Sequence, residues 1–461
     1  MSRIIAQTPA ISRHPAMFAI VGMLVALGMG ALVSLYAATA GDKYGVLLAL
    51  PGAMIIGLLF VFDRNTFFYL VILLRAIMDP IFDATKLGGF GLGAVLNALI
   101  ILLAAIALLE KPMPAGKLFK QTWLAFLVIS LISLAYAPEF VPALKTYLGL
   151  VSYAAVFMLA VTLVKDEESY GRWMRAVFFS SFIPVVYGFI DAATGGFKSE
   201  DVGFRISSTF SHPNIFAFYL VLIISISFYF FKVKASYIPA SIRRLIPVYI
   251  LTMLVLLVMT KTRSAWISCM AFFLVYALLY ERKYLLYLML VPLAAFFVPE
   301  IRDRILDLTQ GNQVINYSRL NSYAWRKLIW HDGLTWMQPS HYFMGYGLEA
   351  FKHYSLDFFS MAGVKESGAH SVFVQLFFET GALGLGAFIW LHYKVGRELM
   401  VFYRQNKLMI FCAVMFLLEF ALDAYSDNML AYLCFNWYLW FVLGAAYAVN
   451  YHSRQHKEAS P

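Results

Sequence analysis

The sequence predicts an all-α, polytopic membrane protein with twelve to fourteen transmembrane helices. Of its 461 residues, 61% are hydrophobic and only 13% are charged, whereas soluble proteins carry about 25% charged residues. The apolar residues form blocks of roughly 15 to 24, near the ~20 residues that a helix needs to cross a bilayer. These blocks show no alternation of apolar and polar positions, so we favour helices over a membrane β-barrel.

Hydropathy along the chain indicates fourteen helices. The block 66–80 is short and contains Arg75 and Asp79, which is typical of a tilted or re-entrant segment, so twelve full spans remain an alternative. The first block lacks a small-residue cleavage site, and we interpret it as a retained helix rather than a signal peptide. The predicted helices are 17–37, 44–62, 66–80, 89–110, 120–136, 141–164, 173–192, 211–231, 246–260, 264–280, 284–298, 370–392, 408–423 and 430–449.

The distribution of lysine and arginine predicts the orientation. With a cytoplasmic N-terminus and alternating helices, most of these residues fall in the inner segments and few in the short outer loops. This agrees with the positive-inside rule and an even number of crossings, so we expect both termini in the cytoplasm. Topology then explains the net charge of +10, and we expect no nucleic-acid partner. The cysteines (Cys269, Cys412 and Cys434) lie in apolar blocks without metal-ligand spacing, and a disulfide framework is not expected.

The chain divides into three predicted regions. Residues 1–298 hold the first eleven transmembrane helices, residues 299–369 form a large outer loop, and residues 370–461 hold the last transmembrane helices and the C-terminal tail. The outer loop is the only large hydrophilic region of the sequence. It contains the Trp-rich amphipathic stretch NSYAWRKLIWHDGLTW, so we expect two or three short helices on or just above the membrane.

Three arginines on the outer face are candidate phosphate ligands, because the planar guanidinium binds phosphate in a bidentate manner. Arg263 lies in a tight turn between two apolar helices, where an interfacial anchor is the alternative role. Arg326 lies in the amphipathic stretch, where a solvated surface charge is the commoner role. Arg205 precedes a helix N-terminus that can itself attract an anion through its unpaired N–H groups and dipole. Ser211 or Asn214 is the expected cap of that helix.

His370 lies where the long polar segment meets the apolar helix 370–392. A single histidine at a helix end is usually an interfacial residue, but here three arginines reach the same face of the membrane. The combination suits a lipid with a phosphate or diphosphate head group and a base that deprotonates a hydroxyl. The first outer loops contain no paired acidic motif for a divalent metal. Asp423 and Asp427 are the nearest metal candidates; we favour a structural role for them, and therefore a metal-free mechanism.

Five short motifs resemble the O-antigen ligase and polymerase superfamily. His370-Ser371, followed after nine residues by Gly381-Ala-Leu-Gly384, is similar to the signature of bacterial O-antigen ligases. The other motifs are T-R-S-A-W at 262–266, R-x-x-x-W at 326–330, G-Y-G-L-E-A-F at 345–351 and F-S-H-P-N at 210–214. Together they cover roughly residues 200–385. The R-x-x-x-L element of ligases ends in Ile267 here, which weakens the distinction between a ligase and a polymerase.

The resemblance implies a GT-C-type glycosyltransferase of the bacterial inner membrane whose active site faces the periplasm. Its donor would be an undecaprenyl-diphosphate-linked glycan and its acceptor a sugar hydroxyl of the lipid A-core, with no metal and no other cofactor. Arg263 and Arg326 match the arginines that bind the diphosphate, and Arg205 matches a further diphosphate-binding arginine. His370 matches the catalytic base. The expected function is therefore O-antigen ligation by inverting transfer in lipopolysaccharide biosynthesis.

Two kinds of alternative remain open. An O-antigen polymerase or a protein O-oligosaccharyltransferase would use the same type of donor, although the complete His-Ser…Gly…Gly element favours the ligase. A lipid-linked glycan transporter or flippase is a more distant alternative. It would need charged residues within the span, whereas the key arginines cluster at one face and no matching pair of broken helices is evident.

Overall fold

The computed structural model describes residues 44–85, 91–110, 114–199, 203–296, 302, 306, 320–359, 361 and 365–459; the predicted helix 17–37 lies outside them. The described chain is predominantly helical, which confirms the all-α class, with one antiparallel hairpin of β1 (Phe197–Ser199) and β2 (Gly203–Arg205). The helices are α1 Tyr44–Phe62, α2 Arg64–Leu74, α3 Asp79–Ala84, α4 Leu92–Glu110, α5 Ala115–Thr122, α6 Leu124–Leu134, α7 Phe140–Leu163, α8 Glu167–Phe179, α9 Phe182–Thr194, α10 Pro213–Val233, α11 Ala240–Met259, α12 Arg263–Leu279, α13 Lys283–Phe296, α14 Ser322–Trp336, α15 Ala350–Phe358, α16 Val372–Met400, α17 Lys407–Ser426 and α18 Leu433–Ala459, with 3₁₀ turns at Arg75–Ile77, Pro339–His341 and Met429–Ala431.

Seven helices of the described chain are long and apolar enough to cross a membrane: α4, α7, α8 with α9, α10, α11, α16 and α17. The number becomes eight if α5 and α6, which are bent by 56° relative to each other, form a single span. Every predicted helix within the described residues coincides with one or two observed helices. Fewer than the predicted twelve to fourteen meet the length and composition criterion: the predicted helix 17–37 lies outside the described residues, α12 and α13 are short, and the segment 66–80 is broken. The protein is a polytopic α-helical membrane protein.

The predicted segment 66–80 is broken into α2, a 3₁₀ turn and α3. Arg75 is buried at the break and pairs with Asp79 at 2.6 Å. The Ala76 N–H, which would be unpaired in the broken helix, donates to the hydroxyl of Tyr438 at 3.1 Å. A buried break of this kind persists because its freed backbone groups find partners in the neighbouring helices.

The centre of the bundle is built on α10 and on the pair α7 and α18. Nearly every residue of α10 from its first turn to its last is buried. α18 runs along α7, where the indole N–H of Trp437 donates to Ser152 Oγ at 2.9 Å. Trp440 packs edge-on against Trp123, with ring centroids 4.5 Å apart. This packing fixes the ends of the helices that carry the candidate site.

Residues 320–359, which we call the cap, form a small layer on one end of the bundle. It contains α14, α15 and a 3₁₀ turn, in agreement with the short helices expected in this region. Ile329, Trp330 and Phe351 form its own small core together with Phe378 of α16. The shared core attaches the cap firmly to α16, directly after His370.

α16 is broken at Gly381, and a turn of the cap fills the break. Gly381 has φ +65° and ψ −166°, a conformation that only glycine adopts readily. The Gly347 N–H donates to the Glu379 carbonyl at 2.8 Å, and the Leu383 N–H donates to the Phe343 carbonyl at 3.2 Å. A Cβ at Gly381 would lie 2.3 Å from the Phe343 backbone. Two of the short motifs, G-Y-G at 345–347 and Gly381 with its flanks, therefore form one packing unit.

Candidate functional site

The four predicted site residues lie at the same end of the helix bundle. This end collects the first turns of α10, α12 and α16, the last turns of α11 and α17, and the cap. Arg205 ends β2, Arg263 begins α12, Arg326 lies in α14, and His370 lies two residues before α16. The structure thus brings together residues that are separated by up to 165 positions in the sequence.

Arg263 and Arg326 converge on Ser322 in the first turn of α14. Nη2 of Arg263 donates to Ser322 Oγ at 2.7 Å, and Nη1 of Arg326 donates to the Ser322 carbonyl at 3.3 Å. Nε of Arg326 is buried and has no hydrogen-bond partner among the described residues, although an unmet buried donor is costly. Burial lowers the pKa of Arg326 and the Asp427 carboxylate opposes this shift; a guanidinium still stays charged.

His370 is held in a strained conformation near Arg326. Its φ is +48°, in the left-handed region that non-glycine residues rarely adopt. The Trp325 ring packs edge-on against the imidazole with centroids 5.6 Å apart, and the indole N–H of Trp330 donates to the Ala369 carbonyl at 2.6 Å. α14 therefore positions both Arg326 and His370.

The electrostatic surroundings of His370 keep its imidazole neutral near pH 7. Burial lowers the pKa of His370, and the positive charge of Arg326 acts in the same direction. The negative charge of Asp427 raises the pKa and partly opposes them. A neutral imidazole can accept a proton, as a general base must.

Arg205 is buried and ties three segments together. Its Nε donates to the Thr260 carbonyl at 2.7 Å, and its Nη2 donates to Asn214 Oδ1 at 2.6 Å and to Thr262 Oγ1 at 2.9 Å. These bonds join the β-hairpin to the first turn of α10 and to the tight turn before α12. Because its donors bond with protein groups, Arg205 contributes positive charge near the site.

The N-terminus of α10 differs from the prediction. His212, rather than Ser211 or Asn214, is the cap: its Nδ1 accepts the Asn214 N–H at 3.1 Å. The His212 carbonyl accepts the next two N–H groups, from Ile215 and Phe216. The prediction that unpaired N–H groups at this helix end attract an anion is therefore wrong, because these donors are already used within the protein.

Asp427 is the buried acceptor at the centre of the site. Its Oδ2 accepts from Asn214 Nδ2 at 2.5 Å, and its Oδ1 accepts from the Tyr432 hydroxyl at 2.6 Å and from the Asn428 N–H at 2.8 Å. Asn214 thus bridges Arg205 and Asp427. From the sequence, Asp427 is a metal candidate for which a structural role is favoured, and Asn214 is a possible helix cap; the contact between them is not predicted, although both lie at helix ends on the predicted outer face.

The residues that could share a metal ion lie elsewhere in the described chain. Glu139, His353 and Glu366 each offer one ligand atom within 4.8 Å of the others. None of them belongs to the arginine–histidine cluster. Asp423 instead accepts from Ser268 Oγ at 2.7 Å, so its geometry fits the structural role that the sequence suggested.

The arrangement can bind an anionic group and accept a proton at adjacent positions. Two half-buried guanidinium groups, Arg263 and Arg326, provide the charge and the donors. The neutral imidazole of His370 provides a base, and the buried surroundings strengthen both interactions relative to water.

Part of this chain is similar to a known protein family. A search of curated proteins finds no match to this chain. Residues 248–389 match the family model described as O-antigen ligase, and this range contains Arg263, Arg326 and His370. Members of this family are glycosyltransferase-like enzymes, ligases and polymerases. Residues 248–389 are therefore similar to the O-antigen ligase family, and this match supports membership of the chain in the O-antigen ligase and polymerase superfamily.

Proposed function

We propose that this protein is an O-antigen ligase of the bacterial inner membrane, with the described site facing the periplasm. It transfers a glycan from undecaprenyl diphosphate to a sugar hydroxyl of the lipid A-core. The observation that carries the proposal is the convergence of Arg263 and Arg326 on Ser322 next to His370. The two arginines supply a diphosphate site and the histidine supplies a base, which are the two parts that this transfer needs.

The reaction is a single displacement. His370 takes the proton of the acceptor hydroxyl while the hydroxyl oxygen attacks the anomeric carbon of the donor. The bond from that carbon to the diphosphate oxygen breaks, and its electron pair leaves with undecaprenyl diphosphate. With an α-linked donor, the new glycosidic bond has inverted configuration.

Arg263 and Arg326 stabilise the charge that develops on the departing diphosphate. Loss of one such donor typically costs about 2.7–4 kcal/mol of activation free energy. Arg205 adds positive potential and holds the framework, since its donors already bond with protein groups. The donor bond already carries the required energy, so the mechanism uses no nucleotide.

Complementation of an O-antigen ligase-deficient strain tests this function. We expect the wild-type gene, expressed with its native lipid A-core, to restore a full lipopolysaccharide ladder on a gel. His370→Ala and Arg263→Ala should leave bare core at normal expression. Arg64→Gln is the matched control because Arg64 forms an exposed ion pair with Glu110 outside the site, and it should restore the ladder.

The same strains separate the alternatives. If the wild type leaves bare core while lipid-linked polymer accumulates, the ligase function is disproved. Longer lipid-linked polymer made only in the presence of this protein would then identify a polymerase. Glycan on periplasmic proteins would identify a protein O-oligosaccharyltransferase, and loss of glycan export would identify a transporter.

A further inference from the structure

We propose that His212 is a positioning residue. Its neutral imidazole accepts the Asn214 N–H at the start of α10, a bond that we call the His212 N-cap, and so keeps Asn214 in place. Protonation of the imidazole breaks the His212 N-cap. The effect on activity rests on the proposed function. The His212 N-cap itself is a property of the fold and can be measured without an activity assay.

His212 alone satisfies the first turn of α10. Its backbone is extended, with φ −151° and ψ 142°, and its Nδ1 accepts the Asn214 N–H at 3.1 Å. Its carbonyl accepts the N–H groups of Ile215 at 3.1 Å and Phe216 at 3.4 Å. Pro213 has no N–H to satisfy. The side-chain bond from the Asn214 N–H is therefore the bond of this turn that depends on the protonation state of the imidazole.

A histidine cap differs chemically from the usual caps. Ser, Thr, Asp and Asn accept through oxygen atoms over the whole neutral and mildly acidic pH range. Nδ1 of His212 accepts only while it carries no proton, which assigns the neutral tautomer with its proton on Nε2. In the imidazolium form both ring nitrogens are donors, so the Asn214 N–H loses its acceptor.

The charged and titratable groups near His212 come from four other elements. Burial lowers the pKa of His212, Arg205 at the end of β2 acts in the same direction, and so does His370 before α16. Asp427 after α17 opposes them. Arg326 of α14 adds a further positive charge near His370 and Asp427. The His212 N-cap is therefore intact at neutral pH and breaks as the pH falls below the ordinary pKa of histidine.

Asn214 transmits the state of the cap to the site. Its Oδ1 accepts from Arg205 at 2.6 Å and its Nδ2 donates to Asp427 at 2.5 Å. Asp427 in turn influences His370 and Arg326 electrostatically. Release of the Asn214 backbone loosens the Asn214 side chain, which holds Arg205 and Asp427. A fall in pH therefore affects the site through His212 in addition to protonating His370.

Two variants of the full-length protein separate the cap from the imidazole. His212→Asn keeps a side-chain acceptor that does not titrate, and His212→Ala removes the acceptor. We would measure hydrogen–deuterium exchange of the peptide covering residues 210–218 in a series from pH 7.5 down to 4.5, comparing proteins at the same pH. The wild type should match His212→Asn at pH 7.5 and approach His212→Ala at the acid end of the series, with about fivefold faster exchange whenever the bond to His212 Nδ1 is absent.

Equal exchange of the wild type and His212→Ala at pH 7.5 would show that His212 does not cap α10, and would overturn the proposal. Protection of the wild type equal to that of His212→Asn at every pH down to 4.5 would overturn the release of this bond by protonation.

Activity provides the second readout. His212→Asn should retain most of the wild-type transfer rate at pH 7.5, and its rate relative to wild type should rise about fivefold as the pH is lowered to 4.5. A loss in His212→Asn as large as in His212→Ala would show that the imidazole itself is needed, which overturns the positioning role. An inactive wild type with the expected exchange pattern would disprove the proposed function and leave the cap standing.

Discussion

Arg263 and Arg326 belong to different elements, yet their guanidinium groups bond with the same residue, Ser322. Arg263 begins α12 in the bundle, and Arg326 lies one helical turn after Ser322 in the cap. Docking of the cap on α12 therefore sets the spacing of the two positive charges. A diphosphate carries two phosphoryl groups, and a pair of guanidinium groups held in this way suits it better than either residue alone.

Arg263 and Arg326 should act as one unit in transition-state stabilisation. Arg263→Ala and Arg326→Ala should each lower kcat about 10²- to 10³-fold. The double variant should lose less than the product of the two single effects, because both residues serve the same leaving group. Transfer rates of purified protein in detergent, with synthetic donor and lipid A-core acceptor, measure this coupling.

Ser322→Ala is the control for the docking contact. It removes the acceptor of Arg263 but leaves the carbonyl that Arg326 uses, so its effect should be much smaller than that of either arginine variant. Strictly multiplicative losses in the arginine pair would contradict a shared role.

His370 should be replaceable structurally but not chemically. Its φ of +48° is tolerated by asparagine better than by most residues, so His370→Asn should fold with near-normal thermal stability. Its transfer rate should fall about 10²- to 10⁴-fold, the usual range for loss of a general base. Donor binding, measured with a fluorescent undecaprenyl-diphosphate analogue, should remain, because the arginines are intact. Normal turnover in His370→Asn would exclude the base.

The helical class and most helix positions followed from hydropathy, since an apolar run of sufficient length has few other solutions in a membrane. Arg75 and Asp79 predict a tilted or re-entrant segment at 66–80, and the structure has a break there. Tyr438, which accepts the freed Ala76 N–H at this break, lies far away in the chain. The bend between α5 and α6 had no comparable signal. Hydropathy measures only how apolar a segment is, so it does not detect such bends.

The arginines and His370 were predicted because charge on the outer face is unusual in a membrane protein. The role of His212 as the N-cap of α10 was missed, because histidine is not a preferred N-cap residue. The bridging role of Asn214 was missed because it depends on Asp427, which is 213 residues away in the sequence. Contacts at this separation follow from how helices pack, and single-residue chemistry does not predict them.

Gly381 should be essential for stability. Its φ of +65° with ψ −166° excludes side chains, and an added Cβ would lie 2.3 Å from the Phe343 backbone. Gly381→Ala should therefore cost about 1–3 kcal/mol from the backbone strain alone, seen as a lower midpoint of thermal unfolding in detergent. Gly386→Ala is the matched control on α16, since a Cβ added at Gly386 would meet nothing within 4 Å. An equal effect of the two substitutions would contradict the packing of the cap turn into the break.

Asp427 should set the acid limit of activity. Its negative charge raises the pKa of His370, against the lowering by burial and by Arg326. In Asp427→Asn the pKa of His370 should fall further, so the base stays neutral to lower pH and the acid limb of kcat moves to lower pH. Asp427→Asn also lowers the pKa of His212, which shifts the acid limb in the same direction.

Asp423→Asn is the control, because Asp423 bonds with Ser268 and does not act on His370; its acid limb should stay in place. Profiles normalised to their own maxima between pH 4.5 and 8 test the sign, and a shift to higher pH in Asp427→Asn would contradict the role of His370 as a neutral base beside this carboxylate.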